Sequence, residues 1–167
     1  MKVKHEGLVG EYITDALLLL MEKKPYHDIS VTELCERAGV TRMSFYRNFE
    51  SKEDILRKWL AGVTDRFVVE SGISYKDDAP HDYFVTLFTH LARYQKICSA
   101  LYEARLMYLL KDEFDRVFLA IHGSEYDDYK SYFHAGGIYN VFLLWLMRGC
   151  VETPEELADK LAGLMEK

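Results

Sequence analysis

The sequence predicts an all-helical protein. Along the 167-residue chain, apolar residues recur mostly at intervals of three and four, which is the spacing of an amphipathic helix. No convincing run alternates apolar and polar residues as a half-buried strand does, and the chain contains only three prolines. A chain of this length can bury a substantial core, either as one domain or as a small domain joined to a larger one.

Capping residues, a proline and a glycine mark where the first two helices begin and end. An apolar stripe begins at Val9 and continues for roughly 18 residues, and the proline within KKPYHD (23–28) ends it because proline cannot continue the hydrogen-bond ladder. The second helix starts at Ser30, whose hydroxyl can cap the first amides while Glu33 reaches back to the cap. Gly39 ends it, since glycine readily takes the left-handed conformation after a helix.

Two further helices follow at once. Thr41 is placed to cap a short third helix that ends near residues 48–50. Ser51 is the corresponding cap of a long fourth helix, predicted over 52–70. Because AGVT (38–41) alone separates the second and third helices, the pair has the layout of a helix-turn-helix.

The remainder of the chain is predicted to be helical after a linker. The segment SGISYKDDAPH (71–81) is the best candidate for that linker. Helices are then predicted at about 80–95, 97–110, 112–122, 126–148 and 154–166, the last of them begun by the cap Thr153, by Pro154 and by Glu156.

Charge and cysteine content restrict the classes of function. The net charge is −6, yet residues 1–60 carry 10 basic and 10 acidic side chains, whereas 61–167 carry 11 and 17. The N-terminal third is therefore the less acidic part, and its charge permits a polyanionic partner there. Three scattered cysteines, no CxxC and no signal peptide indicate a reduced, cytoplasmic setting. The longest apolar run (138–147) is too short for a membrane span.

The short third helix has two dissimilar sides. Phe45 and Phe49 lie one turn apart and are predicted to face the core. The opposite, outward side carries Arg42, Met43, Ser44, Tyr46 and Arg47. In a helix-turn-helix the second helix enters the major groove of DNA. Arginine can then bind guanine or phosphate, and tyrosine and serine hydroxyls can donate to the DNA backbone.

The predicted DNA-binding set is completed by residues around this helix. Lys52 opens the next helix, where its charge and the free helix-start amides could both meet phosphate. Thr41 can donate to a backbone oxygen, and Thr32 and Asn48 are the remaining candidates. The alternative is a helix-turn-helix without a nucleic-acid partner, in which exposed arginine and tyrosine are ordinary surface residues.

The segment ISVTELCERAGVTRMSFYRNFESKEDIL (29–56) resembles the N-terminal domain of TetR-family transcriptional regulators. The resemblance covers roughly residues 8–60 and is carried by Ala38, Gly39, Val40, Thr41, Tyr46, Phe49, Ser51, Lys52, Glu53 and Ile55–Leu56. Many members have a small residue at Met43 and aromatic or histidine residues at Arg47 and Asn48. These departures lie on the DNA-facing side, so no operator sequence can be transferred from the family.

The resemblance implies a division into a helix-turn-helix DNA-binding domain (1–52) and a helical ligand-binding and dimerisation domain (53–167). It further implies a homodimer that binds a palindromic operator in double-stranded DNA and responds to a small-molecule effector, most often as a repressor. In the family, ligand binding tilts the connecting helix, here 52–70, on which Trp59 and Phe67 lie. A transcriptional activator and a non-DNA-binding interaction protein remain the alternatives.

The helix predicted over 126–148 is a candidate dimer interface. It is apolar on nearly every side, so it needs cover on two faces, and HAGG (134–137) would let another helix approach closely. By resemblance, this helix and the last helix of each subunit form the interface. The dimerisation candidates are Gly136, Gly137, Val141, Leu144, Trp145 and Leu161. The alternative is that this helix is buried wholly within the monomer.

Aromatic residues are concentrated after the linker, with nine tyrosines, seven phenylalanines and one tryptophan beyond residue 60. An aromatic pocket with a few hydroxyls suits an apolar or planar small molecule. The candidates for the pocket are Phe67, Phe84, Phe88, Tyr102, Tyr108 and Phe118, with Tyr83 and Tyr94 as further possibilities. For each ring the alternative is an ordinary place in the core.

No catalytic motif is present in the sequence. It contains no GxSxG, no glycine-rich phosphate loop and no HExxH, and its six histidines lack close metal-ligand spacing. We therefore predict a non-enzymatic protein without catalytic residues, metal ligands or a cofactor. A metal-sensing regulator, with histidine and cysteine residues brought together by the fold, is a further alternative.

Overall fold

The computed structural model describes residues 3–72, 79–122 and 128–165, and the regular structure in these ranges is helical throughout. The helices are α1 (Val3–Met21), a 3₁₀ turn (Tyr26–Asp28), α2 (Val31–Ala38), α3 (Arg42–Asn48), α4 (Lys52–Ser71), α5 (Pro80–Ala92), α6 (Gln95–Glu103), α7 (Met107–His122), α8 (Asp128–Met147) and α9 (Pro154–Met165). The predicted all-helical fold is confirmed.

The N-terminal unit is a three-helix cluster built on α1. Helix α1 packs against α2, α3 and the beginning of α4. Ile13 and Leu17 of α1, Leu34 of α2 and Phe45 of α3 are fully buried. This apolar centre holds α3 across the end of α2, so that only one side of α3 faces solvent.

The predicted caps of these helices are present. The Ser30, Thr41 and Ser51 hydroxyls each accept a hydrogen bond from the backbone N–H three residues later, at 3.1 Å in every case. Gly39 has a φ of +66°, the left-handed conformation expected after α2. The capping box at Ser30 is only half formed, because the Glu33 carboxylate pairs with Lys24 instead of the cap amide.

The C-terminal unit packs as pairs of helices. Helix α9 lies along α5, α8 along α7, and α4 contacts α7. The α9 start has both halves of the capping box, since Thr153 N–H donates to Glu156 Oε2 at 2.9 Å and Glu156 N–H donates to Thr153 Oγ1 at 3.2 Å. Among the described helices, none combines the length and apolar character needed to cross a bilayer.

Two boundaries differ from the prediction. Separate helices over 97–110 and 112–122 were predicted, but the chain turns between α6 and α7, where Arg105 has a φ of +60°, and α7 continues without a break from Met107 to His122. Leu106 N–H donates to Leu101 O at 2.8 Å and Ala104 and Leu106 are buried. The turn could not be predicted from the sequence, because the residue in the left-handed conformation is an arginine and no glycine or proline marks the position. The predicted linker (71–81) is too long at both ends, because Ser71 belongs to α4 and Pro80 begins α5, while residues 73–78 lie outside the described residues.

Gly39 and Gly62 should respond oppositely to alanine. At Gly39 a Cβ meets no atom within 4 Å, so Gly39→Ala adds only the left-handed backbone penalty, about 1 kcal/mol. Gly62 lies inside α4, where its Cβ would make ordinary contact with Arg66 at 3.8 Å, so Gly62→Ala should stabilise by about 0.5–1 kcal/mol. Denaturant unfolding measures both changes, and equal effects would contradict the assigned conformation of Gly39.

Candidate nucleic-acid interface and effector cavity

The exposed side of α3 is the first candidate site. Phe45 is 0% exposed and Phe49 is 7% exposed, whereas Met43 is 73% and Tyr46 is 55% exposed. The Tyr46 ring packs edge-on against Phe45 with centroids 5.0 Å apart, which fixes its direction. The outward side thus presents the residues that the helical spacing predicts: Arg42, Met43, Tyr46 and Arg47 are exposed and Ser44 is half-buried.

This side is cationic. Helix α3 contains no acidic residue, and within the described part of the chain no carboxylate forms an ion pair with Arg42 or Arg47. Both guanidinium groups are therefore available to a polyanion. A phosphate backbone would find positive charge here without having to displace an internal partner.

The other predicted DNA-binding residues near α3 differ in whether their polar groups are exposed or hydrogen-bonded within the protein. Thr41 and Ser44 join their hydroxyls at 3.0 Å beside the helix start. Asn48 is half-buried, and its Nδ2 donates to Ser44 O at 2.7 Å. Thr32 is exposed on α2. Asn48 therefore stabilises the end of α3, while the two threonines keep exposed hydroxyl groups.

Lys52 has internal partners that the sequence analysis did not foresee. Its ammonium donates to Tyr26 O at 2.9 Å and also to Ile29 O, and it lies 4.3 Å from the centroid of the Tyr26 ring. Burial lowers the pKa of Lys52, with Lys24 adding to the effect. Two of its three N–H groups thus join the start of α4 to the loop before α2, and one N–H is not used by these two bonds.

A polar junction joins α4 and the 3₁₀ turn to the α6–α7 region. His27 Nε2 lies 3.1 Å from Ala104 O, and Arg57 of α4 pairs with Asp112 of α7 at 3.2 Å. A hydrogen bond to Glu53 raises the pKa of the Tyr108 hydroxyl. Tyr108 is therefore part of this exposed junction.

A partly open apolar cavity of about 70 Å³ lies between α4, α5, α7 and α8. Its lining residues are Thr64, Phe67, Val68, Tyr83, Leu87, Leu91, Leu110, Glu113, Phe114, Val117, Phe118 and Ile138. Phe67 and Phe118 of the predicted pocket set therefore line it, as does Tyr83.

The remaining pocket candidates lie elsewhere. Phe84 and Phe88 are buried in the core, where Phe88 packs edge-on against Trp145 at 5.7 Å. Tyr102 and Tyr108 are each 44% exposed and do not line the cavity. Aromatic content alone could not distinguish these environments, because core, surface and cavity positions share the same helical spacing.

One charged residue lines the cavity, and the sequence analysis missed it. Glu113 of α7 is 7% exposed, and its Oε2 accepts from Thr64 Oγ1 at 2.8 Å. Arg116 donates to the same oxygen from Nε at 3.0 Å and from a terminal nitrogen at 2.7 Å, and also pairs with Asp65 at 2.7 Å. In the sequence, Glu113 could have been noticed as an acidic residue within the apolar stripe of α7.

The dimerisation candidates divide between two environments. Trp145 is 3% exposed and donates Nε1–H to Glu152 O at 3.0 Å, and Leu161 is 8% exposed on α9. Both side chains are therefore buried within the monomer. Leu144 is 47% exposed, Gly137 is exposed, and Gly136 and Val141 are half-buried on α8.

The outward side of α8 has an exposed apolar stripe that the sequence analysis did not single out. It consists of Tyr129, Tyr132, Phe133, Leu144 and Met147, with Gly136 and Gly137 between its two ends. A Cβ on either glycine would meet no atom within 4 Å. A second helix could therefore approach α8 closely at its centre.

The cysteines are free, with Cys35 and Cys98 buried and Cys150 half-buried. Burial raises the pKa of the Cys98 thiol to about 12. Over the ranges that the structure describes, no three histidine, cysteine or acidic side chains are grouped as a metal ion would require.

Comparison with known families identifies the class of this protein. Residues 13–58 match the model of bacterial regulatory proteins of the tetR family, and residues 78–167 match a model described as a transcriptional regulator C-terminal region. The chain belongs to the TetR family of transcriptional regulators. No curated protein matches its sequence.

Two solved structures share the fold. The fatty acid degradation regulator FadR from Bacillus halodurans is 22% identical, with a TM-score of 0.63 and 93% of each chain covered. The dihydroxyacetone kinase operon activator DhaS is 18% identical, with a TM-score of 0.58 and the same coverage. At these identities the similarity concerns the helical architecture of both domains.

Replacement of Lys52 should affect folding. Lys52→Ala removes two hydrogen bonds from a charged donor to half-buried carbonyls, so we expect a loss of about 1–3 kcal/mol in the free energy of unfolding. The matched control is Lys160→Ala, which breaks an exposed pair with Glu152 and should cost about 0.5 kcal/mol or less. Denaturant unfolding compares them. A Lys52→Ala protein of unchanged stability would contradict the internal role.

Proposed function

We propose that this protein is a dimeric transcriptional repressor that binds a palindromic operator through α3 and releases it when a small molecule enters the cavity. The observation that carries the proposal is the outward side of α3, which is cationic, carries no carboxylate and is held by two buried phenylalanines. Membership of the TetR family supports the same reading. The protein acts by binding, without a catalytic step.

Each exposed group of α3 has a role in this proposal. Arg42 and Arg47 bind guanine edges or phosphates, because a guanidinium can donate two parallel hydrogen bonds. Tyr46 donates its hydroxyl to a phosphate, and the Met43 side chain contacts apolar groups in the groove. Thr32, Thr41 and Ser44 donate to the DNA backbone, Asn48 keeps the helix end in place, and Lys52 has one N–H left for a phosphate.

Helix α4 would transmit the effector signal. It starts at Lys52, four residues after α3 ends, and Thr64, Phe67 and Val68 on its second half line the cavity. Trp59 and Phe67 on this helix pack against Tyr94 and His90, with centroids 5.6 and 4.2 Å apart. A ligand that binds one tilt of α4 more tightly than another would shift the separation of the two recognition helices.

The outward stripe of α8 is proposed as the dimer interface. An exposed apolar patch of this kind is typical of a contact surface, and Leu144, Gly136, Gly137 and Val141 lie along it. Trp145 and Leu161 support the interface from within each monomer. The proposed division of function, with DNA binding in 1–52 and effector binding and dimerisation in 53–167, follows from these locations.

A second candidate function is transcriptional activation. One structural neighbour is described as an operon activator, so the shared fold is compatible with activation. A reporter gene placed behind the recovered operator distinguishes the two: deletion of the regulator gene raises expression if it is a repressor and lowers expression if it is an activator.

The central experiment is selection of bound duplexes from a random DNA library at near-physiological salt. We expect a palindrome with half-sites about one helical turn apart or more, because a twofold dimer presents two α3 helices. A non-palindromic site would contradict dimeric recognition. Recovery of only non-specific DNA by the ligand-free protein would contradict the proposal of an operator-binding repressor.

Two substitutions on α3 should weaken binding to the selected site. Arg47→Ala should cost about 1–3 kcal/mol and relax specificity at one base position if the contact is to a base. Tyr46→Phe removes only the hydroxyl and should cost about 1 kcal/mol. Fluorescence anisotropy measures both affinities. Arg93→Ala, an exposed arginine on the α5–α6 turn, is the control and should leave the affinity unchanged.

A charge on the α8 stripe should dissociate the dimer. Leu144→Glu places a carboxylate in the apolar patch of each subunit, so we expect the dimer to weaken by about tenfold or more. The control is Leu19→Glu on α1, because Leu19 is 45% exposed against 47% for Leu144. Sedimentation at micromolar concentration should show dimers of the control and monomers of Leu144→Glu. Identical behaviour of the two variants would exclude this interface.

A further inference from the structure

The cavity contains one carboxylate oxygen that has no donor. The three hydrogen bonds to Glu113 all end on Oε2, and across the described residues no donor lies within hydrogen-bond distance of Oε1. Glu113 is nevertheless almost fully buried and lines the cavity. Oε1 therefore keeps some solvent exposure, and an occupant of the cavity that supplies an N–H or O–H group can form a charge-assisted hydrogen bond with it.

The charges around Glu113 favour a cation as that donor. Glu113 and Asp65 carry two negative charges, and Arg116, which contacts both, carries one positive charge. The cluster therefore carries one net negative charge, shared between Glu113 at the cavity and Asp65, whose side chain is 62% exposed. A second carboxylate at this position would meet Glu113 at close range, whereas an ammonium group would neutralise the cluster.

The walls of the cavity fit the rest of such a molecule. Phe67, Phe114, Phe118 and Tyr83 surround the space and aliphatic side chains complete it. Aromatic faces attract a nearby cation, and the apolar surface accommodates a hydrocarbon body. The same walls would receive the chain of a fatty acid equally well, so the group that distinguishes the two ligands is Glu113.

We propose that the effector of this protein is an apolar molecule bearing a protonated amine, and that Glu113 is the residue that selects it. The inference rests on the proposed effector cavity and adds the chemical class of the ligand. Thr64 and Asp65, which contact Glu113 directly or through Arg116, both lie on α4. An amine bound at Oε1 therefore acts on the network that holds α7 against the helix leading to the DNA-binding domain.

Three probes of equal chain length test the proposal: octylamine, octanol and octanoate, titrated by calorimetry into the full-length protein near neutral pH. A hydrogen bond to a charged group corresponds to about a tenfold to hundredfold change in affinity, so octylamine should bind at least about tenfold more tightly than either of the others. Equal or tighter binding of octanoate or octanol overturns the proposal, as does failure of octylamine to bind at millimolar concentration.

The matched variants assign the selectivity to one residue. Glu113→Gln keeps the size of the side chain and removes its charge, so octylamine should lose its advantage of about tenfold. Glu155→Gln, an exposed carboxylate at the start of α9, makes the same charge change outside the cavity and should keep the advantage. Retention of the advantage by Glu113→Gln overturns the assignment. The comparison of the three probes on the unmodified protein remains decisive if Glu113→Gln does not fold.

The outcome is separable from that of the proposed function. The calorimetry contains no DNA, so amine selectivity can be present in a protein that selects no operator, which would contradict the repressor proposal alone. Conversely, a protein that selects a palindrome but binds octanoate in preference to octylamine retains its regulatory function and loses the proposed amine specificity.

Discussion

The burial of Phe45 and Phe49 beneath α1 is the constraint on which the exposed cationic surface of α3 depends. A helix of seven residues is too short to be stable by itself in water, so packing must hold α3 in place. Because both rings lie on one side, their burial determines which residues remain outside. The Thr41 cap, Gly39 and the Asn48 bond to Ser44 fix the ends of the same helix, so the direction of Arg42 and Arg47 is a consequence of core packing.

Helix α4 contacts both the N-terminal helices and the cavity, and its polar side chains form contacts at both places. Near its start, Lys52 is bonded to the loop before α2, and Arg57 is paired with α7. Further along, Thr64 and Asp65 contact the Glu113–Arg116 pair at the cavity. The helix is thus fixed at several points by hydrogen bonds and ion pairs, which are directional and short-ranged. A ligand that changes one of these contacts alters a single rigid element that reaches the DNA-binding domain.

Helix α8 shows why apolar character on every side does not by itself identify an interface. Its inward side, with Tyr139, Phe142 and Trp145, closes the core against α7, and Phe114 packs edge-on against Tyr139 at 5.7 Å. Its outward side is equally apolar but exposed. One face of α8 is therefore buried within the monomer, and the other is exposed. Which residue belongs to which face depends on the rotation of the helix about its axis.

The sequence by itself determined the helical class, the helix-turn-helix, the caps at Ser30, Thr41 and Ser51, and the inward direction of Phe45 and Phe49. These features are local, because helical spacing and cap chemistry act over three or four residues. Only the tertiary structure decided the carbonyl partners of Lys52, the turn at Arg105, the burial of Trp145 and the place of Glu113 in the cavity. Three of these depend on residues distant in the sequence: Tyr26 for Lys52, Thr64 for Glu113 and Phe88 for Trp145. Spacing along one helix carries no information about such partners, because the neighbour is supplied by another helix.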